Sequence, residues 1–174
     1  TPFGVDVDKF KKSEVKSPFE KNAIVVGSVK SLEAKYGTSV LINAFSIALK
    51  KRPDLNLKLL LVGKGSLEKD LKSQVEKLGI NEHVLFTGRV PHDEVPNYHN
   101  MIDIYVSAST DDSESFGVSA VEACACERAV IVSSVGGLKE VVIDGETGIL
   151  VPPSDAEATS AAILKFAENK ELRN

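Results

Sequence analysis

Short β-branched runs alternate along the chain with longer segments whose apolar residues recur at helical spacing. The run Ala23-Ile24-Val25-Val26-Gly27 predicts a buried strand. From Thr38 to Lys51, Leu41, Ala44, Phe45, Ala48 and Leu49 fall on one helical stripe. Leu57 to Val62 predicts the next strand, closed by Gly63-Lys64-Gly65. A helix follows with Leu67, Leu71, Val75 and Leu78 inward, Ser66 as its expected N-cap and Gly79 just past its end. Further strands are expected at Val84 to Thr87, Ile102 to Ser107, Ala129 to Ser133 and Ile149 to Val151. Between and after them, a short helix or turn is expected at Pro91 to Asn100, and helical segments at Phe116 to Cys126, Gly137 to Ile143 and Asp155 to Glu168, the last capped by Ser154 or Asp155.

About six strands that read as continuous apolar runs, each followed by a helix, predict an α/β fold: a Rossmann-like, doubly wound parallel sheet with helices on both faces. Residues 21–174 form one such domain in this reading, with residues 1–20, rich in charge and carrying Pro2, Gly4 and Pro18, as a lead-in outside the sheet. The chain opens on Thr1 and its single methionine is Met101, which suggests a piece of a longer protein.

Composition narrows the function. The 174 residues are 43% hydrophobic and 26% charged, with 21 basic against 25 acidic side chains for a net charge of −4. That is ordinary globular composition, and its mild acidity argues against a sequence-independent nucleic-acid binder. No run approaches the roughly 20 apolar residues that span a bilayer. Cys124 and Cys126 are one residue apart, wrong for a Cys-x-x-Cys site, and read as small buried side chains in a reducing compartment. His83, His92 and His99 have no metal-site spacing, so no metal is expected.

In open parallel sheets, ligands bind beyond the carboxyl ends of the strands. The loop after the first strand carries Lys30 and Lys35, which could meet an anion but on this segment alone read more readily as ordinary lysines of a solvated loop; a Walker loop is excluded because Gly-Lys-Ser/Thr is missing. Gly63-Lys64-Gly65 lacks the third glycine of the dinucleotide fingerprint, with Glu68 in its place, and reads as a tight turn. The stretch Ser107 to Glu122 is richer. A polar loop enters a helix N-terminus near Ser115, Phe116, Gly117 and Val118, where backbone N–H groups and the helix dipole favour a diphosphate. Glu114 and Glu122 are eight residues apart, about 12 Å along a helix axis and on roughly one side. The competing reading is that Glu114 caps the helix and Glu122 is solvated; the setting of Glu122 among Val121 and Ala123-Cys124-Ala125 favours a partner or ligand for it instead, because an unpaired charge there is costly.

The spacing Glu114-Ser-Phe-Gly to Glu122 resembles the Glu-x7-Glu motif of retaining glycosyltransferases of family 4, the glycosyltransferase group 1 enzymes. Glu122-Ala-Cys-Ala-Cys, the stretch Ala129 to Glu140 with Gly136-Gly137, and Asp144-Gly-Glu-Thr-Gly-Ile-Leu-Val-Pro-Pro153 look like the same family, as do Phe86-Thr-Gly-Arg-Val90, Ala44-Phe45 and Gly4-Val5-Asp6 with Phe10. The resemblance covers nearly the whole chain. It implies the C-terminal, donor-binding domain of a GT-B type enzyme, whose N-terminal acceptor domain is absent from this chain.

By that resemblance Glu122 would bind the ribose hydroxyls, Glu114 the donor sugar, Ser115 to Val118 the sugar and diphosphate, Lys35 the leaving diphosphate and Val90 the base through its backbone. The family arginine after the strand-end glycine is replaced by Ser28, leaving Lys30 as a substitute without a guanidinium's bidentate fork. Glu127 stands where the family has glycine. The implied function is transfer of a hexosyl group, with retention, from a UDP- or GDP-sugar to a glycan, lipid or other acceptor in cell-surface polysaccharide or glycoconjugate synthesis, without a cofactor or metal. The fragment alone is expected to be inactive. A cytoplasmic protein is expected, with peripheral membrane contact left to the missing domain, and no nucleic-acid partner. A nucleotide-sugar epimerase and a non-catalytic nucleotide-binding module are the competing readings.

Overall fold

The computed structural model describes residues 4–112 and 116–173. Among these, six strands form one fully parallel sheet in the order β3-β2-β1-β4-β5-β6. They are β1 (Ile24–Val29), β2 (Leu57–Val62), β3 (Val84–Gly88), β4 (Ile104–Ser107), β5 (Ala129–Ser133) and β6 (Ile149–Val151). The helices are α1 (Thr38–Lys51), α2 (Glu68–Leu78), α3 (Val95–Met101), α4 (Val118–Ala125), α5 (Leu138–Val141), α6 (Ala156–Glu168) and α7 (Lys170–Arg173). The doubly wound expectation holds.

Period-two alternation sends each strand's side chains to opposite faces. Leu57, Leu59 and Leu61 of β2, with Ile104 and Val106 of β4, meet Leu41, Phe45 and Ala48 of α1, Leu71 and Val75 of α2, and Ile163 and Phe166 of α6. Leu60, Val62, Tyr105, Val130 and Val132 face the other way onto Ala120 and Ala123 of α4 and Leu138 of α5. Each fully buried leucine here contributes roughly 1.5–3 kcal/mol relative to exposure.

The boundaries shift in informative ways. β1 extends two residues beyond the expected end, because Ser28 and Val29 pair in register with Leu61 and Val62 of β2. β4 begins one residue after Asp103, whose carboxylate accepts the Val25 N–H at 2.8 Å and so ties β4 to β1. Ser66 does not cap α2: that helix starts after Leu67 without a side-chain cap, while the Ser66 N–H and hydroxyl both donate to the Glu33 carboxylate. These two bonds hold the Glu33 carboxyl below its usual pKa. Asp155 is the cap of α6, accepting from Ala158 N–H at 2.8 Å.

Residues 4–23 contribute no strand or helix, yet they are anchored. Phe10 is buried against Val95 and Cys126. The Asn100 side chain accepts the Ser13 N–H at 2.9 Å and donates to the carbonyls of Lys11 and Pro96. Glu127, the residue in place of glycine, has φ 56°, the left-handed region that glycine adopts freely, and pairs with Lys12 at 2.9 Å.

Cys126 lies against this region, packed with Phe10, while Cys124 packs partly buried against the cluster beneath α4 and α5. Burial pushes the Cys126 thiol up to about 11 and raises Cys124 in the same direction. At pH 8 only about one Cys126 in a thousand is then thiolate, the reactive form. A chromogenic disulfide reagent at pH 8 should label the folded chain at Cys126 far more slowly than the urea-unfolded chain; equal rates would contradict this burial.

Candidate functional site

All six strands are parallel, so their carboxyl ends share one edge, and the strand order reverses there between β1 and β4. Helices leave the sheet on opposite sides at such a point and open a crevice for ligand. Three contacts fasten the loops that surround it. The Thr110 N–H donates to the Lys35 carbonyl at 2.9 Å. The Ser119 hydroxyl in the first turn of α4 donates to the Val29 carbonyl at 2.8 Å. The Gly63 N–H donates to the Gly88 carbonyl at 3.0 Å, joining the ends of β2 and β3.

Glycines make the approach possible. Gly37 has φ +62°, and a Cβ there would lie 1.8 Å from the Ala108 carbonyl oxygen. A Cβ on Gly63, at φ +139°, would lie 1.9 Å from the Lys30 carbonyl oxygen. Gly-x-Gly at 63–65 is thus a packing requirement of the β1 and β2 loops, as the turn reading expected.

A cleft of about 530 Å³ opens at the ends of β1, β2 and β3. Lys30, Lys64, Arg89 and Val90 line it, with Val29, Val62 and Val95 as apolar wall. Three cations and no carboxylate are among the lining residues. Lys30 and Val90, singled out from sequence for separate reasons, thus share one cavity. Lys64 and Arg89 were not expected; the cue was their position beside strand-end glycines 63 and 88, the place where this fold presents ligand contacts.

Lys35 lies outside that lining and is exposed. Its ammonium and that of Lys30 nevertheless meet over one ring: Lys30 Nζ is 4.7 Å and Lys35 Nζ 4.9 Å from the Tyr36 centroid. Both cations thus lie within cation–π reach of the Tyr36 ring on the β1 loop. Ser28, at the position of the family arginine, is buried inside β1 and offers nothing comparable.

Gly117 caps the N-terminus of α4 at φ 65°, with no side-chain cap among the described residues. A Cβ there would meet Leu138 Cδ2 at 2.3 Å, so glycine is needed for packing as well as for conformation. Phe116 and Val118 flank it, both half-buried. Glu114 and Ser115 lie outside the described residues.

Glu122 sits one turn into α4, and its side chain is only 12% exposed. The partner demanded by its apolar setting is His99 of α3, whose Nε2 lies 3.2 Å from Glu122 Oε2. His99 itself is completely buried. Among the described residues no group of three or more His, Cys, Asp or Glu side chains is placed to hold a metal ion, and no helix is long and apolar enough to cross a membrane.

Comparison with known proteins agrees with this geometry. The chain is 32% identical over 178 residues to an uncharacterized glycosyltransferase of Methanocaldococcus jannaschii, covering 96% of this chain and 50% of that protein. It is 31% identical over 173 residues to the GDP-mannose-dependent alpha-(1-6)-phosphatidylinositol monomannoside mannosyltransferase of Mycolicibacterium smegmatis, covering 93% and 45%. It therefore spans about half the length of these relatives. Among solved structures, Anabaena HepE in complex with UDP and glucose superposes with a TM-score of 0.84 at 26% identity, over 98% of this chain and 47% of that one. The C-terminal domain of the group 1 glycosyl transferase LpcC from Francisella tularensis gives 0.84 and 26%, over 98% and 91%. Residues 9–174 match the family profile described as glycosyl transferases group 1, and with the Rossmann-like sheet and its strand-end cleft this places the chain in that family.

Proposed function

We propose that this chain is the donor-binding domain of a retaining, two-domain glycosyltransferase that moves a hexosyl group from a UDP- or GDP-sugar to a glycan, lipid or other acceptor. The observation that carries this reading is the cationic strand-end cleft with Lys30 and Val90 in it, beside an α4 N-terminus tied to the end of β1 by Ser119. In this reading the Val90 backbone meets the base, Glu122 the ribose, and Lys30 and Lys35 with the amides after Gly117 the diphosphate. Lys64 and Arg89 add charge around the same cavity. Glu114 and Ser115 keep the sugar-side roles that the Glu-x7-Glu resemblance gives them.

Departure of a nucleoside diphosphate builds negative charge on the leaving phosphate. Oriented cations and helix amides stabilise that charge directly, so the chemistry proposed here is metal-independent. The named relative that uses GDP-mannose and the neighbour that holds UDP leave both bases within the proposal. Residues 4–20 would then be the lead-in from an acceptor domain facing the cleft.

Thermal shift with UDP and GDP in EDTA tests the binding half. At 100 times its dissociation constant a ligand adds about 2.7 kcal/mol, which for a chain of this size raises Tm by roughly 5–10 °C. Amide exchange should slow at Val90 and at residues 116–118. A shift seen only with divalent metal, or protection confined to other segments, would refute the proposed seat. The catalytic half predicts that the 174-residue chain binds donor yet transfers no sugar, since orientation of the acceptor and exclusion of water are left to the second domain. Turnover by this chain alone, with labelled donor and added acceptor, would overturn the half-site reading.

A further inference from the structure

One buried polar contact has no role in the fold that an apolar pair would not fill better. His99 is fully buried, and its Nδ1 has no hydrogen-bond partner among the described residues. Its ring is held edge-on by Phe10, centroids 6.0 Å apart at 70°, and tilted against Tyr105 at 5.6 Å. An aromatic hydrocarbon would suit those neighbours and strand no nitrogen, and a buried polar atom without a partner destabilises by about 1–3 kcal/mol. What the imidazole supplies is a single directed bond: Nε2–H donating to Glu122 Oε2 at 3.2 Å.

We infer that His99 is the positioning residue for the Glu122 carboxylate. This rests on the proposed ribose-binding role of Glu122. The ring cannot turn away, because Phe10 and Tyr105 flank it and the backbone of α3 carries it. The bond fixes the carboxylate from the inside of the fold, with Oε2 taken and Oε1 left to accept from ribose. A glutamate on a helix otherwise samples several rotamers, and removing that freedom before the ligand arrives sharpens recognition. The assignment is therefore to selectivity: His99 makes the site distinguish a ribose from a ribose lacking its 2′-hydroxyl.

The test compares UDP and GDP with their 2′-deoxy counterparts by calorimetry on the 174-residue chain. Wild type should prefer the ribonucleotide roughly tenfold, the value of one charge-assisted hydrogen bond. His99→Phe, which fills the space without a donor, should reduce that preference to under about threefold while binding the 2′-deoxy nucleotide as wild type does. His99→Gln, whose amide N–H lies near the position of Nε2, should restore the preference; His99→Asn, whose amide falls at the Nδ1 position, should not. The Gln and Asn pair decides the matter if the phenylalanine variant fails to fold. A purely structural histidine predicts equal losses for both nucleotides, or a lower Tm with the preference intact, and either result overturns the inference. A wild type that binds nucleotide but ignores the 2′-hydroxyl instead overturns the role given to Glu122, and one that binds no nucleotide overturns the proposed function.

Discussion

Replacing Gly37 by alanine is expected to lower stability by about 3 kcal/mol or more, while the same change at Gly79 costs only about 1 kcal/mol. Both glycines have left-handed backbones, φ +62° and +70°, so both substitutions carry the strain of a Cβ in that region, roughly 1–2 kcal/mol. They differ in what the new methyl meets. At Gly79, at the end of α2, nothing lies within 4 Å. At Gly37 the Ala108 carbonyl oxygen is 1.8 Å away, and relief requires parting the loops that follow β1 and β4. The corresponding Tm losses are roughly 6–12 °C and 2–4 °C for a chain of this size. Urea melts of the two variants provide the comparison; equal midpoints would mean that the loops part freely and that the crevice is not held by this contact. Because Lys35 and Thr110 are joined across the same contact, nucleotide affinity should fall with Gly37→Ala and survive Gly79→Ala.

Glu122→Ala is expected to weaken UDP or GDP binding by tenfold to a hundredfold. A hydrogen bond to a charged group is worth about 1.5–3 kcal/mol, and no other described carboxylate has been placed at the ribose. The same change removes the hydrogen-bond partner that a fully buried imidazole has among the described residues, and so should also lower Tm. Glu122→Gln separates the two effects: its amide oxygen can still accept from His99 Nε2, and stability should largely return, while affinity recovers only in part because the negative charge is gone. Calorimetry and thermal melts on the two variants give both numbers. Affinity unchanged in Glu122→Ala would remove this residue from the site.

The sheet was legible because its inner strands are runs of β-branched or leucine residues buried on both faces, and such runs look like little else; the edge strand β3, with Leu85 exposed, keeps the apolar run without that burial. The two strand-end residues Ser28 and Val29 were not, since a serine after glycine looks like the start of a loop; only pairing with Leu61 and Val62 reveals the strand. Ser66 carries every local mark of a helix cap, but Glu33, 33 residues earlier, claims its hydroxyl and amide, and local pattern cannot see so distant a competitor. Of the candidate site, Lys30, Lys35, Val90, Gly117 and Glu122 are legible as candidates from their position relative to strand ends and from the family motif. In the sequence His99 shows only that it lacks metal-site spacing, and nothing local marks it for another role. A helical stripe through Val95, Pro96, His99 and Asn100 would have put it inside the fold, but not against Glu122, because that contact joins two helices that the pattern treats separately.

The clasp made by Asn100 bears on how this protein's history can be read. Its side-chain oxygen takes the Ser13 amide, and its nitrogen reaches the Lys11 and Pro96 carbonyls, so it grips main chain at each of these points. Main-chain atoms are the same whatever residue supplies them. Positions 11 and 13 are therefore free to drift while the lead-in stays fastened, whereas aspartate at position 100, with no N–H, gives up both carbonyl contacts, and leucine, with neither group, gives up all three. An alignment would display a single invariant asparagine facing two unconstrained columns, and a search for coupled substitutions would pass over a contact that holds both ends together.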